Sequence, residues 1–190
     1  MLVHFIATTT SLNENIDNLR LLVKTLRDKG HTLTRDWIEA AYKRMQDGNG
    51  IDEPTWRSFI KEDFEGIAKA DVIIAEVSHD STAIGYQVAT AIHQKKPTLL
   101  ILEEGKRVPP FTWNIPSEFL NRVEYNKDNL VSKVTPFLDE NDIKTKDMRF
   151  NFFIDRGIYN YLRWSALKTG KTKAEVLREL VKREIESKDY

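Results

Sequence analysis

The stretch ADVIIAEVSHDSTAIGYQVATAIHQKKPTLLI, Ala70 to Ile101, constrains the fold more than any other part of the chain. DVIIAEV (Asp71–Val77) is apolar on both faces, and KPTLLILEE (Lys96–Glu104) reads as a second buried strand. Strands that lack a polar face are covered on both sides, as in a parallel sheet. Between the two lie a polar turn and one helix-length segment, which Asp80 or Ser81 can cap and which runs to about Gln94. Strand, loop, helix and strand in that order predict a crossover unit joining parallel neighbours.

The remaining segments extend the same alternation. LVHFIA (Leu2–Ala7) is a short apolar strand ending in Thr8-Thr9-Thr10. A helix follows, with Ile16, Leu19, Val23 and Leu26 at helical spacing and Gly30 as its stop. HTLTRDW (His31–Trp37) is β-rich, IEAAYKRMQ is helical, and DGNGIDEP breaks the pattern. Thr55 is expected to cap the helix TWRSFIKEDFEGIAKA. NRVEYN (Asn121–Asn126) reads as a last strand and DNLVSKVTPFLDEN as a closing helix. These elements predict an α/β fold, a flavodoxin-like doubly wound sheet of five parallel strands. The polar segment DENDIKTKD (Asp139–Asp147) reads as a linker, separating a domain over residues 1–138 from a smaller one over 148–190.

Composition narrows the setting. The chain has 190 residues and no cysteine, which excludes disulfides and thiolate metal sites and fits a cytoplasmic location. No apolar run approaches the roughly 20 residues of a membrane span, and MLVHFIATTT lacks the charged start of a secretory signal. Residues 1–146 carry 19 Lys and Arg against 22 Asp and Glu, whereas residues 147–190 carry 10 against 7. An acidic body with a basic tail module points to an anionic partner for the tail.

In an open α/β sheet, ligands bind beyond the carboxyl ends of the strands. Thr8–Thr10, Ser78–Ser81 and Asp63 are expected to converge there. Ser81 and the free N–H groups opening the next helix suit a phosphate. The same residues also read as ordinary caps, with Asp63 a surface carboxylate and Gly85 a packing glycine. His79 and Asp80 read as solvated loop residues, although they could form an acid–base pair. His4, His31, His79 and His93 show no metal-ligand spacing, and neither a metal nor a cofactor is expected.

ADVIIAEVSHDSTAIGYQ resembles the nucleoside 2-deoxyribosyltransferase family, which includes the 2′-deoxynucleoside 5′-phosphate N-hydrolases. The resemblance spans roughly Leu2 to Leu138 and is concentrated between Asp63 and Gln87. It implies a nucleoside or nucleotide ligand and a pocket of Thr8, Thr9, Asp63, Ser81, Gly85, Tyr86 and Gln87. Asp63 lies 24 residues before Gln87, the family's spacing between pocket Asp and catalytic Glu. Ser81, six residues before Gln87, matches the serine on the 5′-phosphate in the hydrolases. In that family a Glu follows Gly-Tyr, attacks C1′ and forms a covalent glycosyl intermediate, as in a retaining glycosidase. Here the position holds Gln87, whose amide keeps the shape of Glu but is a poor nucleophile. Two explanations fit: a natural domain that binds without reacting, or a natural Glu replaced to trap a substrate.

MRFNFFIDRGIYNYLRWSALKTGKTKAEVLRELVKREIE, over residues 148–186, resembles the ribbon-helix-helix family of the Arc and MetJ repressors. The strand Met148–Asp155 would turn Phe150, Phe152 and Ile154 one way and Arg149, Asn151 and Phe153 the other. A lone strand with two helices cannot bury itself, so a homodimer or higher even-numbered oligomer is expected, with Ile158, Leu162, Val176 and Leu180 in a shared core. Asp155 and the pair Thr172/Glu175 read as helix caps. The resemblance implies that Arg149, Asn151 and Phe153 read bases of duplex DNA in the major groove. Lys171, Thr172 and Lys173 would hold phosphate. Together the two resemblances imply a ligand-responsive DNA-binding regulator. The alternative is an N-glycosidase acting on nucleosides, nucleotides or a dinucleotide such as NAD, with the tail serving assembly or autoregulation in a toxin-like defence system. A scaffold with a vestigial pocket is a third reading.

Overall fold

The computed structural model describes residues 1–142 and 152–187. The chain divides into two compact units, residues 1–144 and 145–190. The first unit runs β1 (Leu2–Ile6), α1 (Leu12–Asp28), β2 (Thr32–Leu33), α2 (Ile38–Gln46), α3 (Glu53–Lys69), β3 (Val72–Glu76), α4 (Thr82–His93), β4 (Thr98–Glu103), α5 (Pro110–Trp113), β5 (Leu120–Tyr125) and α6 (Leu130–Asn141). All five strands join one sheet in the order β2-β1-β3-β4-β5, each neighbour parallel.

Period-two alternation builds a core on each face of this sheet. Val3, Phe5, Val72, Ile74, Leu99 and Ile101 turn toward α1 and α6. Ile6, Ile73, Ala75, Leu100 and Leu102 turn the other way, onto Ile67 of α3 and Ile84 and Val88 of α4. β1 lies between β2 and β3, so the chain leaves it in one direction first and returns on its other side. That reversal opens a crevice at the carboxyl ends of β1 and β3.

Four local departures from expectation have physical causes. β2 keeps only Thr32 and Leu33 of the β-rich run. Its ladder continues through Thr34 N–H, which donates to Val3 C=O at 2.9 Å. The next acceptor along β1, Phe5 C=O, is taken by the Trp37 indole N–H at 3.2 Å, and the chain turns into α2. Thr55 does not cap α3: Asp52 does, accepting from Thr55 N–H at 3.1 Å, with Pro54 in the first turn where it needs no donor. α6 runs to Asn141, three residues into the segment read as linker. The short α5 has no counterpart in the sequence reading.

In the second unit, α7 (Arg156–Thr169) starts at Asp155, which accepts from Ile158 N–H at 2.9 Å. It ends at Gly170, whose φ of 69° lies in the left-handed region that glycine adopts without strain. α8 (Lys173–Ser187) opens with a capping box: Thr172 N–H donates to the Glu175 carboxylate at 2.7 Å, and Glu175 N–H to Thr172 Oγ1 at 3.2 Å. Residues 148–151 of the expected ribbon strand lie outside the described residues, and 152–155 form no strand. A β-ladder needs a hydrogen-bonded partner, and the described part of this unit contains no second strand. Leu162 and Val176 are buried within the single chain, whereas Ile158, expected in a core shared between two chains, is 45% exposed.

Candidate functional site

A cavity of about 600 Å³ occupies the crevice, a size typical of small-molecule sites. Its floor is the end of β1, from Phe5 to Thr10. Thr8 Oγ1 accepts from Thr10 N–H at 3.2 Å and shares a hydrogen bond with the Thr10 hydroxyl, holding this loop in a tight local turn. One wall is the start of α4, through Ser81, Ala83, Ile84 and Gln87. Ser81 Oγ caps the helix, accepting from Ile84 N–H at 3.4 Å. No acidic residue occupies the first turn of α4, so its positive end is not neutralised from within that turn.

The opposite walls come from the chain after β2 and from α3. Arg35, Asp36 and Trp37 enter where β2 stops, and Ala40, Ala41 and Arg44 follow on α2. Trp56, Phe59 and Asp63 share one stripe of α3 at helical spacing, with Glu62 beside them. Arg35 is the hub: Nη1 lies 2.5 Å from Asp63 Oδ1, Nε 3.1 Å from Glu62 Oε2, and the guanidinium 4.5 Å above the Phe59 ring. Burial pushes the Asp63 carboxyl above the ordinary aspartate range, and Arg35 opposes that shift. The cavity thus offers planar apolar surfaces, a helix N-terminus, two guanidiniums, three carboxylates and an amide.

Beneath the pocket His4 is 1% exposed. Its Nδ1 pairs with Thr34 Oγ1 at 2.7 Å, whereas Nε2 is buried with no hydrogen-bond partner. Burial lowers the imidazole from 6.5 to about 4, so the ring is neutral near pH 7; the Gln87 side chain opposes the shift and Arg35 adds to it. Gln87 therefore favours the charged ring, yet no hydrogen bond of good geometry joins it to Nε2. Gly66 of α3 makes room for this arrangement. A Cβ there would lie 2.6 Å from His4 Nδ1, and that ring is held in place by Thr34.

The loop leading to α4 is braced from below. Glu76, 1% exposed, accepts from Ser78 N–H at 3.1 Å and from the Ser78 hydroxyl, with the Tyr125 hydroxyl at 3.3 Å. Ser78 Oγ also receives Glu103 N–H at 2.7 Å, and Tyr125 receives the Asn15 amide at 3.1 Å. Burial raises the Glu76 carboxyl, partly offset by its bonds to Ser78. This network ties β3, β4, β5 and α1 together beneath Ser81.

The structure brings Thr8, Thr9, Asp63, Ser81 and Gln87 together around one cavity. Gly85 and Tyr86 do not line it. On a helix, neighbours of Gln87 point about 100° and 200° away from it. Tyr86 is 65% exposed and packs edge-on against Phe64 at 5.4 Å, and a Cβ at Gly85 would meet Thr112 of α5 instead. His79 faces Glu14, at 3.7 Å, and not Asp80. Among the described residues no group of His, Asp and Glu is placed to hold a metal ion, and no helix is long and apolar enough to cross a membrane.

No protein-family model matches the chain, and no curated protein matches it. Solved structures similar to it include the following two. A CMP N-glycosidase of Clostridium botulinum is 17% identical, over 74% of this chain and 99% of that one, with a TM-score of 0.48. A 2-deoxyribosyltransferase from Bacillus psychrosaccharolyticus is 15% identical, over 81% of this chain and 100% of that one, with a TM-score of 0.47.

In the second unit, Arg149 and Asn151 lie outside the described residues, and Phe153 is fully exposed. Lys171 is paired with Glu179 at 2.5 Å, Thr172 belongs to the capping box, and Lys173 lies 4.6 Å over the Tyr159 ring. Sequence reasoning missed Arg35, Trp37, Arg44, Trp56 and Phe59. The spacing of Trp56, Phe59 and Asp63 along one helix was the signal that could have found two of them.

Proposed function

We propose that the first unit binds a nucleotide, with its 5′-phosphate at the N-terminus of α4 and its base among Trp37, Trp56 and Phe59, and does not cleave it. Gln87 carries this reading: it shares the cavity with Asp63, Ser81 and Thr8 but presents an amide where a glycosyl intermediate needs a carboxylate. A charge-assisted contact at Ser81 and the helix end is worth roughly 1.5–3 kcal/mol, so a monophosphate should bind about ten- to hundredfold more tightly than its nucleoside. Calorimetry on matched pairs measures this, and equal affinities would remove the phosphate from the reading. Free bases, followed by chromatography, should not accumulate with this chain.

The N-glycosidase reading has its own support in Asp63, a carboxyl whose raised pKa suits a proton donor to a leaving base. It predicts that Gln87→Glu starts base release over multiple turnovers. A variant that binds nucleotide and releases none would leave binding as the function.

For the second unit we propose self-association, with duplex DNA as the ligand of the dimer. Large apolar side chains exposed on a short unit, among them Trp164 at 56% and Leu167 at 77%, support the first step. The excess of basic residues supports the second. Joined, the two units make a nucleotide-responsive DNA-binding regulator. Binding to random and selected duplexes at two salt concentrations tests it, and an absence of duplex binding at low salt would leave assembly alone.

A further inference from the structure

Arg44 is a guanidinium of the pocket wall whose N–H groups have no acceptor among the described residues. Of the two guanidiniums there, Arg35 is neutralised by Asp63 and Glu62. Asp36, the other acidic lining residue, is paired with Arg27. Arg44 forms no ion pair and no side-chain hydrogen bond among the described residues. It rests over the Phe59 ring at 5.2 Å, on the same ring that Arg35 covers at 4.5 Å. The C-terminal end of the α2 dipole favours a cation at Lys43 and at Arg44 alike. It does not explain why Arg44, partly buried, lines the cavity beside a second guanidinium.

We infer that Arg44 is the recognition residue for a second anionic group on the ligand, apart from the one held at α4. This rests on the nucleotide reading above and deepens it: the ligand class is a nucleotide bearing two phosphate positions. A guanidinium stacked on an aromatic ring keeps its N–H edge free for bidentate contact with phosphate oxygens. The second phosphate could extend the 5′ chain or sit elsewhere on the sugar, and both have the same chemistry for Arg44.

The experiment compares deoxynucleoside 5′-monophosphates with the matched 5′-diphosphates and 3′,5′-bisphosphates, on the full chain and on Arg44→Gln and Arg44→Lys. Quenching of tryptophan fluorescence reads binding directly, because Trp37 and Trp56 line the cavity. Inorganic pyrophosphate, followed by thermal shift, is a separate arm. For at least one base, one doubly phosphorylated form should bind ten- to hundredfold more tightly than its monophosphate, and which form does so locates the second group. Arg44→Gln should bring that ratio close to one, and Arg44→Lys should restore part of it. A ratio near one in the unaltered chain, or a ratio that survives Arg44→Gln, overturns the inference while leaving monophosphate binding in place. If no nucleotide binds but pyrophosphate still protects the unaltered chain and not Arg44→Gln, the nucleotide reading fails and the anion site stands. If pyrophosphate fails as well, both fall.

Discussion

His4 is a titratable group held neutral by its surroundings, and it gives the first unit a specific acid response. Its imidazole titrates at about 4 in the folded chain against 6.5 when exposed. The stabilisation is complete above pH 6.5 and is lost as pH falls toward 4, where the folded ring also takes up its proton. Integrated over that interval the loss is about 3 kcal/mol, an order-of-magnitude figure. Asp63 and Glu76, both raised by burial, act with the opposite sign, since their neutral forms favour the fold. The comparison with His4→Gln isolates the histidine: urea unfolding at steps between pH 7 and 4 should show a steeper decline in the unaltered chain. Parallel declines would mean that the ring is not the responsive group.

At the scale of elements, the capping box of α8 is the clearest local determinant of the second unit. Thr172→Ala removes the acceptor of Glu175 N–H and the hydroxyl that donates to the Glu175 carboxylate at 2.9 Å, at a cost of about 1 kcal/mol. Helix content followed by circular dichroism during heating should show the loss, and Thr172→Ser should show little of it. This box was legible because all of its parts lie within four residues. The crossover from β3 through α4 to β4 was legible for a related reason: two strands without a polar face, separated by one helix, leave few arrangements. β2 was less legible, because its length is set by Trp37 reaching Phe5, which no window over His31–Trp37 reveals. In the site, Ser81 and Gln87 share one helix, so their spacing carried information. Gly85 and Tyr86 entered the expected pocket through the resemblance to the family's Gly-Tyr-Glu motif, although the helical period turns them away from Gln87. Arg35 and Arg44 drew no assignment from the sequence, because folding sets them over Phe59, a contact between elements that a linear pattern does not encode.

For the whole molecule, the first unit buries apolar cores on both faces of its sheet, whereas the second leaves large apolar side chains in solvent. The full chain is therefore expected to sediment as a dimer at micromolar concentration. Ile158→Asp together with Val181→Asp should shift it to monomer without changing nucleotide affinity. A chain that is monomeric at all concentrations would place those residues in some other role. The sheet order also carries a consequence in time. β1 pairs with β3 in the register Val3↔Val72, so β1 has no central neighbour until about 70 further residues have been added on the ribosome. At about 5–20 residues per second that interval is roughly 4–14 s. Through it the nascent LVHFI segment is an open edge, and the two walls of the pocket cannot meet until synthesis has passed α4.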